Sequence, residues 1–104
     1  MCGICGLYNY SGIVINDLAG AVESMGRTLA HRGPDDQGIW ASPRRNVVLG
    51  HRRLSILDLS SLGHQPMTVD GSFVVTYNGE IYNFKELRSD LGEDCFSRTD
   101  TEVL

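Results

Sequence analysis

The hydrophobic positions of this chain change rhythm several times, and each change predicts an element. Residues 3–9 (Gly-Ile-Cys-Gly-Leu-Tyr-Asn) form a short apolar run closed by Asn9-Tyr10-Ser11-Gly12, which reads as a buried strand and its turn. Helical spacing then takes over. Leu18, Val22, Met25 and Leu29 recur every three or four residues and predict a helix over 17–31. Asn16 or Asp17 can cap its first turn, and His31, Arg32, Gly33 and Pro34 mark its end. The runs Gly38–Ala41, Val47–His51 and Leu54–Leu57 predict two or three strands, and a polar loop follows from Asp58 to Gln65. Phe73–Tyr77 meets Asn78-Gly79, a strong hairpin signal, with Glu80–Tyr82 as the returning partner. Phe84–Leu91 predicts a short helix with Leu87 and Leu91 on one face. Finally, Thr99-Asp100-Thr101-Glu102 has the form of a capping box, a helix start followed only by Val103-Leu104. The chain is therefore expected to be the front part of a longer domain.

Composition narrows the class. With 104 residues there is at most one domain, and 41% hydrophobic against 21% charged residues is ordinary for a globular protein. Apolar content is too high and the net charge of -4 too small for intrinsic disorder. No apolar run approaches the roughly 18 residues of a membrane span. The first residues lack the basic start of a signal peptide. Acidic residues outnumber basic ones, and the arginines fall in scattered pairs such as Arg44-Arg45 and Arg52-Arg53, which argues against a nucleic-acid partner. Three cysteines, Cys2, Cys5 and Cys95, make a disulfide framework a poor reading and favour a reducing, cytoplasmic setting.

Cys2 carries the most chemical information. Removal of Met1 would leave a thiol and a free α-amine on one residue. An α-amine titrates at about 7.7–8.0, so part of it is neutral near pH 7 and can take the thiol proton. The plain alternative is a small apolar residue opening a strand. Cys2-Gly3-Ile4-Cys5 also invites a metal or redox reading. A zinc site, however, needs four ligands, and residues three apart on a strand face opposite sides; no metal ligands are assigned. Asn78-Gly79 is in isolation a hairpin turn. Read chemically, the Asn amide and the Gly N–H are two donors aimed at one developing oxyanion. Arg53 shares a strand face with His51, and its planar fork suits a carboxylate, although most arginines are surface charges. Asp100 at a helix start is simply a dipole-favoured acid, or with Glu80 a holder of an ammonium group. His31-Arg32-Gly33-Pro34-Asp35 is explained by the helix stop alone.

Taken together, the motifs resemble the glutaminase domain of asparagine synthetases, within the class II (N-terminal nucleophile) glutamine amidotransferases. The likeness rests on Met1-Cys2-Gly3-Ile4, His31-Arg32-Gly33-Pro34-Asp35 and Arg53-Leu54-Ser55-Ile56-Leu57-Asp58, then on Gly63-His64-Gln65-Pro66-Met67, Asn78-Gly79-Glu80-Ile81-Tyr82-Asn83 and Asp100-Thr101-Glu102-Val103. These run in the family's order across the whole chain. The resemblance implies an α+β fold, the Ntn-hydrolase αββα sandwich of mainly antiparallel sheets, of which residues 1–104 are roughly the first half. It implies Cys2 as the nucleophile on the glutamine side-chain amide, with Asn78 and Gly79 as the oxyanion hole. Arg53 would bind the α-carboxylate with Leu54 and Ile56 beside it, and Glu80 and Asp100 the α-ammonium. No cofactor is implied for this segment. ATP and magnesium belong to a synthetase domain of the same parent chain, which would make asparagine from aspartate and the released ammonia. A homodimer is compatible with the resemblance. Two alternatives stand beside it: a related amidotransferase with another ammonia acceptor, and a non-catalytic interaction module on the same fold.

Overall fold

The computed structural model describes residues 1–68, 70–92 and 95–104. Its frame is an α+β unit: strands β1 (Gly3–Tyr8), β2 (Asp36–Ala41) and β3 (Val47–Arg53) form an antiparallel sheet in the order β1-β3-β2. In the register, Gly3 stands opposite Arg52 and Cys5 opposite Gly50 across β1 and β3, and Gly38 stands opposite His51 across β2 and β3. β2 and β3 are joined by a turn in which Arg45 takes φ 53 and its N–H donates to the Ser42 carbonyl at 2.7 Å.

Helix α1 (Leu18–Thr28) covers one face of this sheet. Of the two candidate caps, Asp17 is the one used, its carboxylate accepting from the Gly20 N–H at 2.8 Å. Leu18 and Val22 pack with Val48 into the apolar core, and Cys5 leans against it. The third buried position of the helix is Gly26, not the expected Met25, which is exposed. α1 also ends at Thr28, three residues before the expected 31. Leu29 turns inward against Gly3, and the chain bends there rather than at Gly33. Helix α2 (Phe84–Leu91) has its expected bounds and ends on Gly92 at φ 62, the left-handed conformation that suits glycine. It buries none of its residues.

Three local expectations are overturned. Leu54–Leu57 is not a strand: β3 stops at Arg53, and the buried guanidinium draws the following loop back by donating N–H bonds to the Ser60 carbonyl (2.8 Å) and the Asp58 carbonyl. Phe73–Tyr77 and Glu80–Tyr82 do not form a hairpin. A two-residue hairpin of type I′ needs positive φ at both Asn78 and Gly79, and neither has it. Instead Val75 makes an isolated antiparallel bridge with Met67. The capping box does not form either. A single 3-10 turn spans Thr101–Val103, and the Glu102 carboxylate reaches back to the N–H groups of Phe96 (2.7 Å) and Ser97 (2.9 Å).

Candidate active site

The sheet face away from α1 is polar where β1 begins and β3 ends. Along β3, His51 and Arg53 point to this face, as their spacing predicts, and both are buried. One step before Gly3 the chain brings Cys2 beside β3's end. Its Sγ accepts from the Leu54 N–H at 3.3 Å and donates towards the Leu54 carbonyl at 3.7 Å. Arg32 Nε donates to the Cys2 carbonyl at 3.0 Å. Gly33 lies so close to the Arg52 carbonyl that no Cβ would fit, and the Asp35 carboxylate accepts from the Ser55 N–H at 2.7 Å. The 31–35 motif is therefore more than a helix stop. It clamps the chain on either side of Cys2's neighbours.

A cavity of ≈ 140 Å³ opens at this corner. Cys2, Arg53, Leu54, Ile56, Asn78, Gly79, Glu80 and Asp100 all line it, although they come from four separate stretches of sequence. Arg53 is buried, and two of its N–H donors are met by carbonyl oxygens rather than by a carboxylate. Gly63 makes room for that guanidinium, since a Cβ there would collide with it. Asp100 is buried too, with one carboxylate oxygen accepting from the Ile81 N–H at 2.8 Å. Glu80 and Gly79 are exposed at the rim, and Ile56 is 73% exposed. Tyr77 packs over Gly79 so tightly that a side chain at 79 would strike its ring.

Several residues around the cavity were not singled out by residue chemistry. The Asp58 carboxylate accepts from the N–H groups of Ser60 and Arg98, both at 2.8 Å, and so ties the loop after β3 to the 97–99 segment. The Ser60 hydroxyl, then these N–H groups, hold its acid at about 2, against the opposing effect of burial and with a smaller contribution from Arg53. Gln65, Thr99 and Thr101 are likewise buried on this side. Asp58, Gln65 and Thr101 stand within the quoted motifs, but their partners lie 12–40 residues away, which no local spacing reveals.

His51 lies beneath the site, with Nδ1 paired to Thr76 Oγ1 at 3.0 Å and Nε2 without a partner among the described residues. Burial, opposed by Asp36 and assisted by Arg53 and His64, lowers its pKa to about 4, so the imidazole is neutral near pH 7. Cys5 sits on the opposite face from Cys2. Its thiol faces Val22, and burial pushes its pKa up. Among the described residues no cluster of three or more His, Cys, Asp or Glu side chains could hold a metal, and no helix is long and apolar enough to cross a membrane.

Comparison with known proteins decides the family. Residues 1–104 match the glutamine amidotransferase domain. The chain belongs to this family. It is 40% identical, over its whole length, to the putative asparagine synthetase [glutamine-hydrolyzing] 2 of Methanocaldococcus jannaschii, covering 23% of that protein. To asparagine synthetase [glutamine-hydrolyzing] 3 of Bacillus subtilis it is 37% identical over its whole length, covering 17% of that protein. Over 90% of its length it is also 37% identical to amidase chry2 of Gibberella zeae, covering 15% of it. The chain thus spans less than a quarter of each of these relatives, and over that span it is homologous to the glutamine-hydrolysing part of asparagine synthetases.

Proposed function

We propose that this chain carries the glutaminase site of a longer, cytoplasmic asparagine synthetase, and that Cys2, with Met1 removed, is its nucleophile. The observation that carries this reading is the convergence of Cys2, a buried cation and a buried acid on one cavity. Glutamine carries a carboxylate and an ammonium on the same carbon, so its binding needs one clamp of each sign. Arg53 retains unengaged N–H donors for the carboxylate, and the second oxygen of Asp100, with Glu80 at the rim, faces the ammonium. Leu54 and Ile56 flank the substrate stem. The Cys2 thiol attacks the side-chain amide carbon as the α-amine takes its proton. The negative charge that develops on the amide oxygen is met by the Asn78 amide and the Gly79 N–H, donors that need no reorganisation as the charge forms. The amine passes its proton to the departing nitrogen, the C–N bond breaks and ammonia leaves. Water then cleaves the thioester to glutamate and the free thiol. A synthetase domain of the parent chain, using ATP and magnesium, would consume the ammonia to convert aspartate to asparagine; no residue of the present chain is assigned to that step. The Ntn αββα sandwich is the fold this reading expects around the observed sheet and helix.

In the full-length enzyme Cys2→Ala should abolish glutamine-dependent synthesis and spare synthesis from added ammonia. Equal loss of both activities would refute the role of Cys2, and full glutamine-dependent activity in protein whose N-terminal mass still includes Met1 would rule out the α-amine as the base. A second reading, the same glutaminase feeding another ammonia acceptor, is favoured by the likeness to amidase chry2. Assay of aspartate-dependent product separates the two.

A further inference from the structure

Gln65 is a neutral side chain, only 6% exposed, that links two parts of the cavity wall. Its Oε1 accepts from the Tyr77 N–H at 2.7 Å. A backbone N–H can be met only by an acceptor, so this bond fixes which way the amide points. Nε2 is then directed at Thr101, whose Oγ1 it meets at 3.1 Å, and Thr101 is 4% exposed. Tyr77 immediately precedes Asn78-Gly79, and Thr101 immediately follows Asp100. A second tie joins the same two segments at the other end, where the Asp100 carboxylate accepts from the Ile81 N–H at 2.8 Å. Residues 78–80 are thereby pinned on both sides to residues 100–101.

The backbone explains why a side chain is needed. Met67 and Val75 exchange N–H···O bonds of 2.8 and 2.9 Å, and in an antiparallel ladder the next such pair would be residues 65 and 77. That rung cannot be made from backbone, because the Gln65 carbonyl is turned down onto β2 at Gly38, where a Cβ would collide with it. The Gln65 amide takes over the acceptor role that the carbonyl has left, and its second end reaches Thr101.

We propose that Gln65 is a positioning residue that keeps the Asn78–Gly79 donors in register with Asp100, so that glutamine is held at its α-ammonium and its amide oxygen at the same time. This rests on the glutamine-hydrolysis reading given above. An aliphatic side chain makes neither bond. Displacing the donors lowers kcat, and displacing Asp100 raises KM.

The test is a double-mutant cycle on the full-length enzyme with Gln65→Met, Thr101→Val and the double variant, glutamine- and ammonia-dependent synthesis being measured for each. Each single variant should lose about tenfold in glutamine kcat/KM, divided between lower kcat and higher KM, at unchanged ammonia-dependent rate. The double variant should lose no more than Gln65→Met, because both changes break one link. Thr101→Ser, which keeps the hydroxyl, should stay near wild type. Wild-type glutamine kinetics in both single variants, additive losses, or parallel loss of the ammonia-dependent rate would overturn the proposal. Should Gln65→Met not fold, the contrast between Thr101→Val and Thr101→Ser decides it alone, with equal activities counting against. Cys2→Ala is run alongside. If that variant still turns over glutamine, the assignment of Cys2 and this cavity as the hydrolysis site has failed, whereas loss in Cys2→Ala with unaffected Gln65 and Thr101 variants condemns only the positioning role.

Discussion

The two faces of the three-stranded sheet are built on different physics. Under α1 the core is small and apolar: Leu18, Val22 and Val48, with Cys5 at its edge. On the other face the buried residues are mostly polar: His51, Arg53, Asp58, Gln65, Ser97, Thr99, Asp100 and Thr101. The apolar face is held by removal of surface from water, a force without direction that tolerates exchanges of similar volume. The polar face is held by hydrogen bonds, each of which fixes a distance and an angle and is costly if left half made. A cavity that presents a thiol, two donors, a cation and an acid at set positions, as the proposed function requires, needs the second kind of construction. The first supplies the platform.

Substitutions on each face should therefore fail differently. The largest effect is expected at the cavity. Asn78→Ala should lower glutamine-dependent kcat by about 10²–10³-fold, the usual cost of one oxyanion donor, with an unchanged melting temperature. A fall in stability with kcat intact would make Asn78 a structural residue like those under α1. Next comes Leu18→Ala, which should cost about 3 kcal/mol in denaturant unfolding and leave the glutamine KM of the folded enzyme as it was. A raised KM would show that the helix face and the cavity are coupled. The smallest effect is a pH dependence. His51 has an unfolded value near 6.5 and a folded value of about 4, so the unfolded chain binds the extra proton between them. Its contribution to stability is complete above pH 6.5, falls as pH drops towards 4, and changes no further below. Asp58, depressed from 3.8 to about 2, loses its contribution only below that window, between those two values. His51→Gln should flatten the stability profile between pH 6.5 and 4, and a profile that stays as steep would assign the slope to other groups.

Legibility in the sequence divides along the same line. The helix under the sheet follows from Leu18 and Val22 at one-turn spacing and from Asp17 as its cap, and α2 follows from residues 84–91 alone. On the polar face local signals misled. Asn78-Gly79 has the composition of a hairpin turn, yet Ile81 is bound to Asp100, 19 residues on. Glu102 has the spacing of a capping-box acid, yet it closes a loop onto Phe96 and Ser97. Leu54–Leu57 has β propensity, yet the loop folds back to meet the Arg53 guanidinium. The candidate site residues could be nominated from motifs because their types match the chemistry of an amino-acid amide, but nothing in their spacing brings residues 2, 53, 78 and 100 to one cavity.

The amino-acid order on its own determined where α1, α2 and the three sheet strands lie, and the family, since periodicity, capping and motif identity are properties of neighbours along the chain. The tertiary structure alone decided where the polar side chains find their partners. Hydrogen bonds across 12–40 residues form only once the sheet and α1 have brought distant segments together, and a buried donor or acceptor then overrides whatever turn or strand its immediate neighbours prefer.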